Sequence, residues 1–177
     1  MVAGVLRAEV RVLGIVQGVG FRPFIYRLAV ELGLKGYVRN RGDAGVEIIV
    51  EGGEASIKKF IQQIETGKPP AAQISRLNVK LMADKGGFQE FRILKSTERR
   101  REVGSIIPPD MSICSQCLKE FFDPSNRRHR YYFITCTDCG PRYTIIDRLP
   151  YDRPNTTMRD FPLCSQCLQE YTSPEDR

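Results

Sequence analysis

The chain has 177 residues, 27 Lys+Arg against 21 Asp+Glu, one histidine and six cysteines, a length that accommodates one large domain or two small ones. Its early apolar residues are interrupted by Arg7, Glu9 and Arg11, and no run reaches the ~20 residues of a membrane span, so neither a signal peptide nor a membrane protein is indicated and a cytoplasmic location is expected. Residues 1–95 hold 15 Lys+Arg and 9 Asp+Glu whereas residues 96–177 hold 12 of each, which favours a small anionic substrate in the first half over a nucleic-acid-binding finger in the second.

Residues 5–16, rich in β-branched and apolar positions, read as a strand. It runs into Gln17-Gly18-Val19-Gly20-Phe21-Arg22-Pro23, a glycine-paired turn placed between a strand and a helix. Gly18 and Gly20 permit backbone angles that aim consecutive amides into one concavity at a helix N-terminus, where the dipole favours an anion. Arg22 adds a forked positive charge that matches phosphoryl oxygens. Gly-x-Gly by itself is weak evidence, since most short glycine pairs are plain turns, so the surroundings must decide.

Pro23 suits a first helical turn, and Phe24, Ile25, Leu28, Ala29 and Leu32 recur at helical spacing up to a stop at Gly33. Residues 37–40 and 46–50 make a hairpin about a turn at 41–45. Ile57, Phe60, Ile61 and Ile64 form one helical stripe, begun after Gly52-Gly53 and closed by Gly67-Lys68-Pro69-Pro70. Ile74, Leu77, Val79 and Leu81 mark another strand, and Phe88 to Leu94 a last one, with Phe88 and Phe91 out of strict alternation. Strand, helix, strand, strand, helix, strand is the order of an α+β, ferredoxin-like split βαβ sandwich, an antiparallel sheet with two helices on one face. Such a fold assigns no function by itself.

Residues 96–110 contain Glu98-Arg99-Arg100-Arg101-Glu102 and Pro108-Pro109 and read as a solvated linker, which places domains at 1–95 and 111–177. The second half contains a repeat: Cys114-Ser115-Gln116-Cys117-Leu118-Lys119-Glu120 returns fifty residues later as Cys164-Ser165-Gln166-Cys167-Leu168-Gln169-Glu170. Phe121 and Tyr171, Pro124 and Pro174, and Arg127 and Arg177 keep the same offset. A complete second copy requires another cysteine pair after Arg177, so the chain is expected to be part of a longer polypeptide, with a protein holding one incomplete repeat as the alternative.

All six cysteines lie in Cys-x-x-Cys pairs, which in a chain without a secretion signal read as metal ligands and not as disulfides. Cys114/Cys117 and Cys136/Cys139, eighteen residues apart, match a structural Cys₄ zinc site, and Cys164/Cys167 supply half of a second. Gly140 after a ligand allows amides to face the sulfurs. Iron–sulfur ligation and a redox dithiol use the same residues, and an interleaved scheme joining the first and third pairs stays open. His129, in Arg127-Arg128-His129-Arg130-Tyr131-Tyr132, is ordinarily a surface or packing residue, with a ligand role as the alternative. The same stretch has the charge and rings to stack on nucleic acid, against which the neutral balance of this half weighs.

Val16-Gln17-Gly18-Val19-Gly20-Phe21-Arg22, followed by Gly36-Tyr37-Val38-Arg39-Asn40, resembles the acylphosphatase signature. The resemblance implies that Arg22 binds phosphate, that Asn40 positions the attacking water, and that the amides of Gln17, Gly18, Val19, Gly20, Phe21 and Arg22 surround the phosphate. An acyl phosphate releases a weakly basic carboxylate, so these groups suffice without a strong general acid. Together with Arg22-Pro23-Phe24, Cys139 to Ile145 and Leu149 to Met158, the cysteine repeats resemble the N-terminal part of the HypF carbamoyltransferase family of nickel–iron hydrogenase maturation.

That resemblance implies cleavage of carbamoyl phosphate in the first domain. It further implies ATP-dependent formation of a carbamoyl adenylate and transfer of the carbamoyl group to the C-terminal cysteine of a partner protein, on the way to the cyanide ligands. No Walker-type loop is present in this sequence, so the ATP step is expected outside it. The competing reading is a non-catalytic phosphate-binding and zinc-dependent docking module of a larger protein.

Overall fold

The computed structural model describes residues 5–83, 86–97 and 106–176. β1 (Val5–Ile15) leads through the glycine loop into α1 (Phe21–Glu31), followed by β2 (Lys35–Asn40), β3 (Val46–Gly53), α2 (Glu54–Thr66), β4 (Gln73–Ala83) and β5 (Phe91–Ile93). The sheet order is β4-β1-β3-β2-β5.

Alternation along β1 sends Ala8, Val10 and Val12 into the core, while Arg7, Glu9 and Arg11 take the other face. Helix α1 buries Phe21, Ile25, Leu28 and Ala29, and α2 buries Ile57, Phe60 and Ile64. These stripes meet Val38, Val46, Ile48 and Val50 of the sheet in one cluster. The helix-free face is closed by ion pairs, Arg7 with Glu51 and Arg39 with Glu47. The result is the ferredoxin-like sandwich that the element order implies.

The sheet is mixed and not wholly antiparallel, which corrects one expectation. After β4 on one edge the chain crosses to the other and β5 runs parallel to β2, pairing Gly36 with Phe91 and Val38 with Ile93. β5 is also shorter than residues 88–94, because Phe88 stands outside it. Its ring packs edge-on against Tyr37 with the Arg7 guanidinium 5.4 Å away, while Phe91 enters the core. The broken alternation thus marks two aromatic rings that serve opposite faces of one sheet.

In the second half α3 (Ser115–Phe122) and α4 (Ser165–Thr172) begin alike. The Cys114 sulfur accepts from the Cys117 amide at 3.4 Å, and the Cys164 sulfur from the Cys167 amide at 3.5 Å. Each Cys-x-x-Cys therefore caps its own helix, and the sequence repeat is a structural one. Arg128 bridges the two helices through Glu120 (2.9 Å) and Glu170.

The run Glu98 to Glu102 lies outside the described residues. The stretch around it is tied down: the Thr97 amide donates to the Asn40 carbonyl (3.0 Å) and the Ile106 amide to the Gly14 carbonyl (3.3 Å). Met111 then pairs with Gly140 in an isolated bridge. Among the described residues no helix is long and apolar enough to cross a membrane.

Candidate functional site

Gly18 and Gly20 both adopt left-handed backbone angles, φ 70° and 71°, and Gly20 is the N-cap of α1 with no side-chain cap. Those angles are what a Gly-x-Gly turn permits. Among the described residues the amides of Gly18, Val19 and Gly20 donate to no protein acceptor. The first-turn amides of Phe21 and Arg22 have no intrahelical partner either, so the loop presents N–H groups at the positive end of a helix. Val19 and Phe21 bury their side chains in the core, which leaves only their backbone for the loop.

Gln17 has a different part from its neighbours. Its buried side chain pins the loop in place, with Nε2 donating to the Gly42 carbonyl (2.7 Å) and Oε1 accepting from the Tyr151 amide (3.1 Å).

Asn40, fully buried at the end of β2, stands beside Arg22 although eighteen positions separate them in sequence. Its amide, oriented by its hydrogen bonds, turns Oδ1 to Arg22 Nε (3.3 Å) and Nη2 (3.2 Å). Arg22 Nη1 donates to Ser96 Oγ at 3.3 Å. Its Nη2 donates to Asp152 Oδ1 at 2.7 Å and lies 3.4 Å from the Tyr151 carbonyl oxygen. A carboxylate of the Cys-rich half is thus the strongest partner of Arg22.

The second half covers the loop closely. A methyl group on Gly18 would stand 3.1 Å from the Tyr151 ring, a tight contact, and one on Gly20 would stand 2.9 Å from Thr137 Cβ, so that Thr137 would have to shift; both positions favour glycine through their angle. Burial pushes the Tyr151 phenol up in pKa. Arg142, 5% exposed, spans the two halves. Its Nε donates to the Gly18 carbonyl, and its Nη2 to the carbonyls of Cys136 (2.7 Å) and Thr137 (3.1 Å).

Cys136 belongs to a cluster of four thiols that could hold a metal ion. The sulfurs of Cys114, Cys117, Cys136 and Cys139 all lie within 4.8 Å of one another, with contacts of 3.7 Å (Cys114–Cys136), 3.8 Å (Cys136–Cys139) and 3.6 Å (Cys117–Cys139). A tetrahedron with Zn–S bonds of ~2.3 Å has edges of ~3.8 Å, which the three contacts match. A disulfide would bring two of them to ~2.0 Å. Burial opposes ionisation of Cys114, but hydrogen bonds from the Cys117 amide and from the neighbouring thiols outweigh it and lower its pKa to about 7. Burial pushes Cys117 and Cys136 up. Gly140 turns at φ 90°, as the ligand loop requires.

The first and second pairs are therefore the ones the fold groups. Cys164 and Cys167 lie outside this cluster, with the Cys167 sulfur 3.5 Å from Arg127 Nη1. His129 is exposed and apart from the cluster. In the basic stretch beside it, Arg127 and Arg128 are engaged by Glu170, which removes them from a free cationic surface. Sequence reasoning assigned no role to Tyr151, Asp152, Arg142, Ser96 or Thr137. Leu149 to Met158 were noticed only as part of a resemblance, because spacing does not reveal that a loop some 130 residues downstream reaches Arg22.

A family model described as Acylphosphatase matches residues 8–93, and one described as HypF finger matches residues 113–146. Over 150 residues the chain is 50% identical to the probable carbamoyltransferase HypF of Methanocaldococcus jannaschii, a match that takes up 85% of this chain and 20% of that protein. Over 85 residues it is 44% identical to the acylphosphatase of Thermotoga maritima, covering 48% of this chain and 92% of that protein. The crystal structure of full-length HypF in the phosphate- and nucleotide-bound form superposes with a TM-score of 0.94 at 42% identity, over all of this chain and 23% of that one. The chain spans about a fifth of the length of the curated carbamoyltransferases it matches.

Proposed function

The chain belongs to the acylphosphatase family through residues 8–93, and from that premise we propose that it hydrolyses an acyl phosphate, namely carbamoyl phosphate, to carbamate and inorganic phosphate. The observation that carries this reading is the convergence of Arg22, Asn40 and the unpartnered amides of residues 18–20 on one loop.

In this reading the loop amides and Arg22 hold the phosphoryl oxygens, and Asn40, its oxygen occupied by Arg22, presents Nδ2 to a water. The water attacks phosphorus in line while the bond from phosphorus to the carbamoyl oxygen breaks. Carbamate leaves with the bonding electrons, and the protons of the water remain on phosphate. Positioning and charge neutralisation supply the acceleration. The four clustered cysteines hold zinc, whose coordination they fill, so it shapes the second half and takes no substrate. We extend the reading to the longer relatives: the hydrolysis opens carbamoyl transfer in nickel–iron hydrogenase maturation. ATP then activates the carbamate outside this sequence, and the carbamoyl group passes to the C-terminal cysteine of a partner protein.

Phosphate release from carbamoyl phosphate tests the first step. Arg22→Ala is expected to lower kcat/KM by roughly 100-fold or more through both kcat and KM, and Asn40→Ala to lower kcat with little change in KM. Equal rates in the wild type and both variants overturn the proposal.

A further inference from the structure

We propose that Asp152, together with the main-chain carbonyl of Tyr151, accepts hydrogen bonds from the amide of a carbamoyl group and so selects carbamoyl phosphate among acyl phosphates. This rests on the acyl-phosphate hydrolysis proposed above and assigns the residues that set its specificity.

The two oxygens approach the same nitrogen, Arg22 Nη2, at 2.7 and 3.4 Å, so they stand on the rim where the guanidinium meets its anion. A site that only binds phosphate needs donors, and a carboxylate beside its arginine repels the anion. Two acceptors on that rim need a donor in the ligand to offset the repulsion. The carbamoyl group brings an NH₂ with two N–H bonds, whereas the acetyl group brings a methyl with none. Asp152 has the capacity, since Oδ1 takes Arg22 while Oδ2 accepts no hydrogen bond among the described residues.

Both oxygens are held in place. The Tyr151 amide is fixed by Gln17 Oε1 (3.1 Å), and the Asp152 carbonyl accepts from the Asn155 amide (2.8 Å). They also come from the half of the molecule that a free-standing acylphosphatase lacks. The match to the Thermotoga maritima enzyme takes up 92% of that protein within 85 residues, which leaves no room for a counterpart of the Cys-rich half. The rim is therefore where the two sites differ, and the acyl group, not the phosphate, is where their substrates would differ.

The test compares kcat/KM for carbamoyl phosphate and acetyl phosphate in the wild type, Asp152→Ala and Asp152→Asn, each the full chain with its metal content checked. A site built to bond an N–H discriminates strongly against the analogue lacking it, so the carbamoyl-to-acetyl ratio is expected to fall at least ~10-fold in Asp152→Ala. Asp152→Asn keeps an acceptor oxygen and should retain most of the ratio while both values shift together through the lost Arg22 ion pair. A ratio unchanged in Asp152→Ala overturns the proposal, since Asp152 would then only orient Arg22. If the wild type hydrolyses neither compound the hydrolysis reading fails, and selectivity is read from their competition with inorganic phosphate for binding. Equal relative affinities in wild type and Asp152→Ala then overturn this inference as well.

Discussion

The two halves of the molecule hold their shape by different means. In the first, Val10, Ile25, Ile48 and Phe60 are fully excluded from water within one continuous core. In the second, the buried hydrophobic cluster among the described residues is Cys117, Ile134 and Cys139, while Tyr132 and Phe133 are 83% and 79% exposed. A core of that size does not offset the conformational entropy of some seventy residues. A metal held by the four clustered thiols, as proposed above, would supply the difference. The glycine loop sits between them: its floor belongs to the half with the apolar core, and its cover to the half with the clustered thiols.

The largest expected effect breaks the comparison open. Structural zinc contributes on the order of 10–16 kcal/mol in small finger peptides, so a chelator should unfold residues 106–176 and leave residues 5–83 folded. Hydrogen exchange checks this, with protection lost in the first set and kept in the second. Phosphate release should fall at the same time, because Arg142 reaches the loop from the carbonyls of Cys136 and Thr137. Unchanged protection after metal removal would refute the structural role of the metal.

A cavity in the first core should act the other way round. Phe60 is fully buried, and Phe60→Ala is expected to lower the stability of the sheet half by about 3–5 kcal/mol while the bound metal remains. Thermal melts with and without chelator separate the two transitions. Loss of metal in Phe60→Ala would show that the halves fold as one unit.

The same contrast explains what was legible in the sequence. Period-two and helical patterns located β1 to β4 and both helices of the sheet half, and in β1, α1 and α2 burial on one face is what those patterns record. They missed the parallel pairing of β5, since a three-residue strand leaves direction to the crossover that precedes it. The Cys-x-x-Cys spacing pointed to the four thiols that the fold brings together, yet it did not show that Asp152, Tyr151 and Arg142 reach the loop. Such contacts depend on how the Cys-rich half docks, and no periodicity encodes docking. Gly18 and Gly20 carried a double signal of which only the backbone angle was readable; the close approach of Tyr151 and Thr137 was not.

The smallest signal is a pH slope that belongs to the sheet half alone. Glu47, 4% exposed on the helix-free face, accepts from Arg39 Nε (2.7 Å) and the Tyr37 hydroxyl (3.0 Å) through Oε1, and from Arg41 through Oε2. Burial opposes its ionisation, but the hydrogen bonds of Arg39 and Tyr37 and the charges of Arg41 and Arg39 outweigh burial and hold its pKa below the ordinary 4.5. With the folded pKa below the unfolded one, the unfolded chain takes up the proton first as pH falls. The stabilisation is therefore complete above about pH 4.5 and is lost as pH drops through the folded pKa. Glu47→Gln has no such titration, so its melting temperature should fall less steeply below about pH 4.5 than that of the wild type. Since the group sits in the half that folds by burial, the difference in slope should survive chelation. A difference that disappears with the metal would place this acid sensitivity in the other half and overturn the division between them.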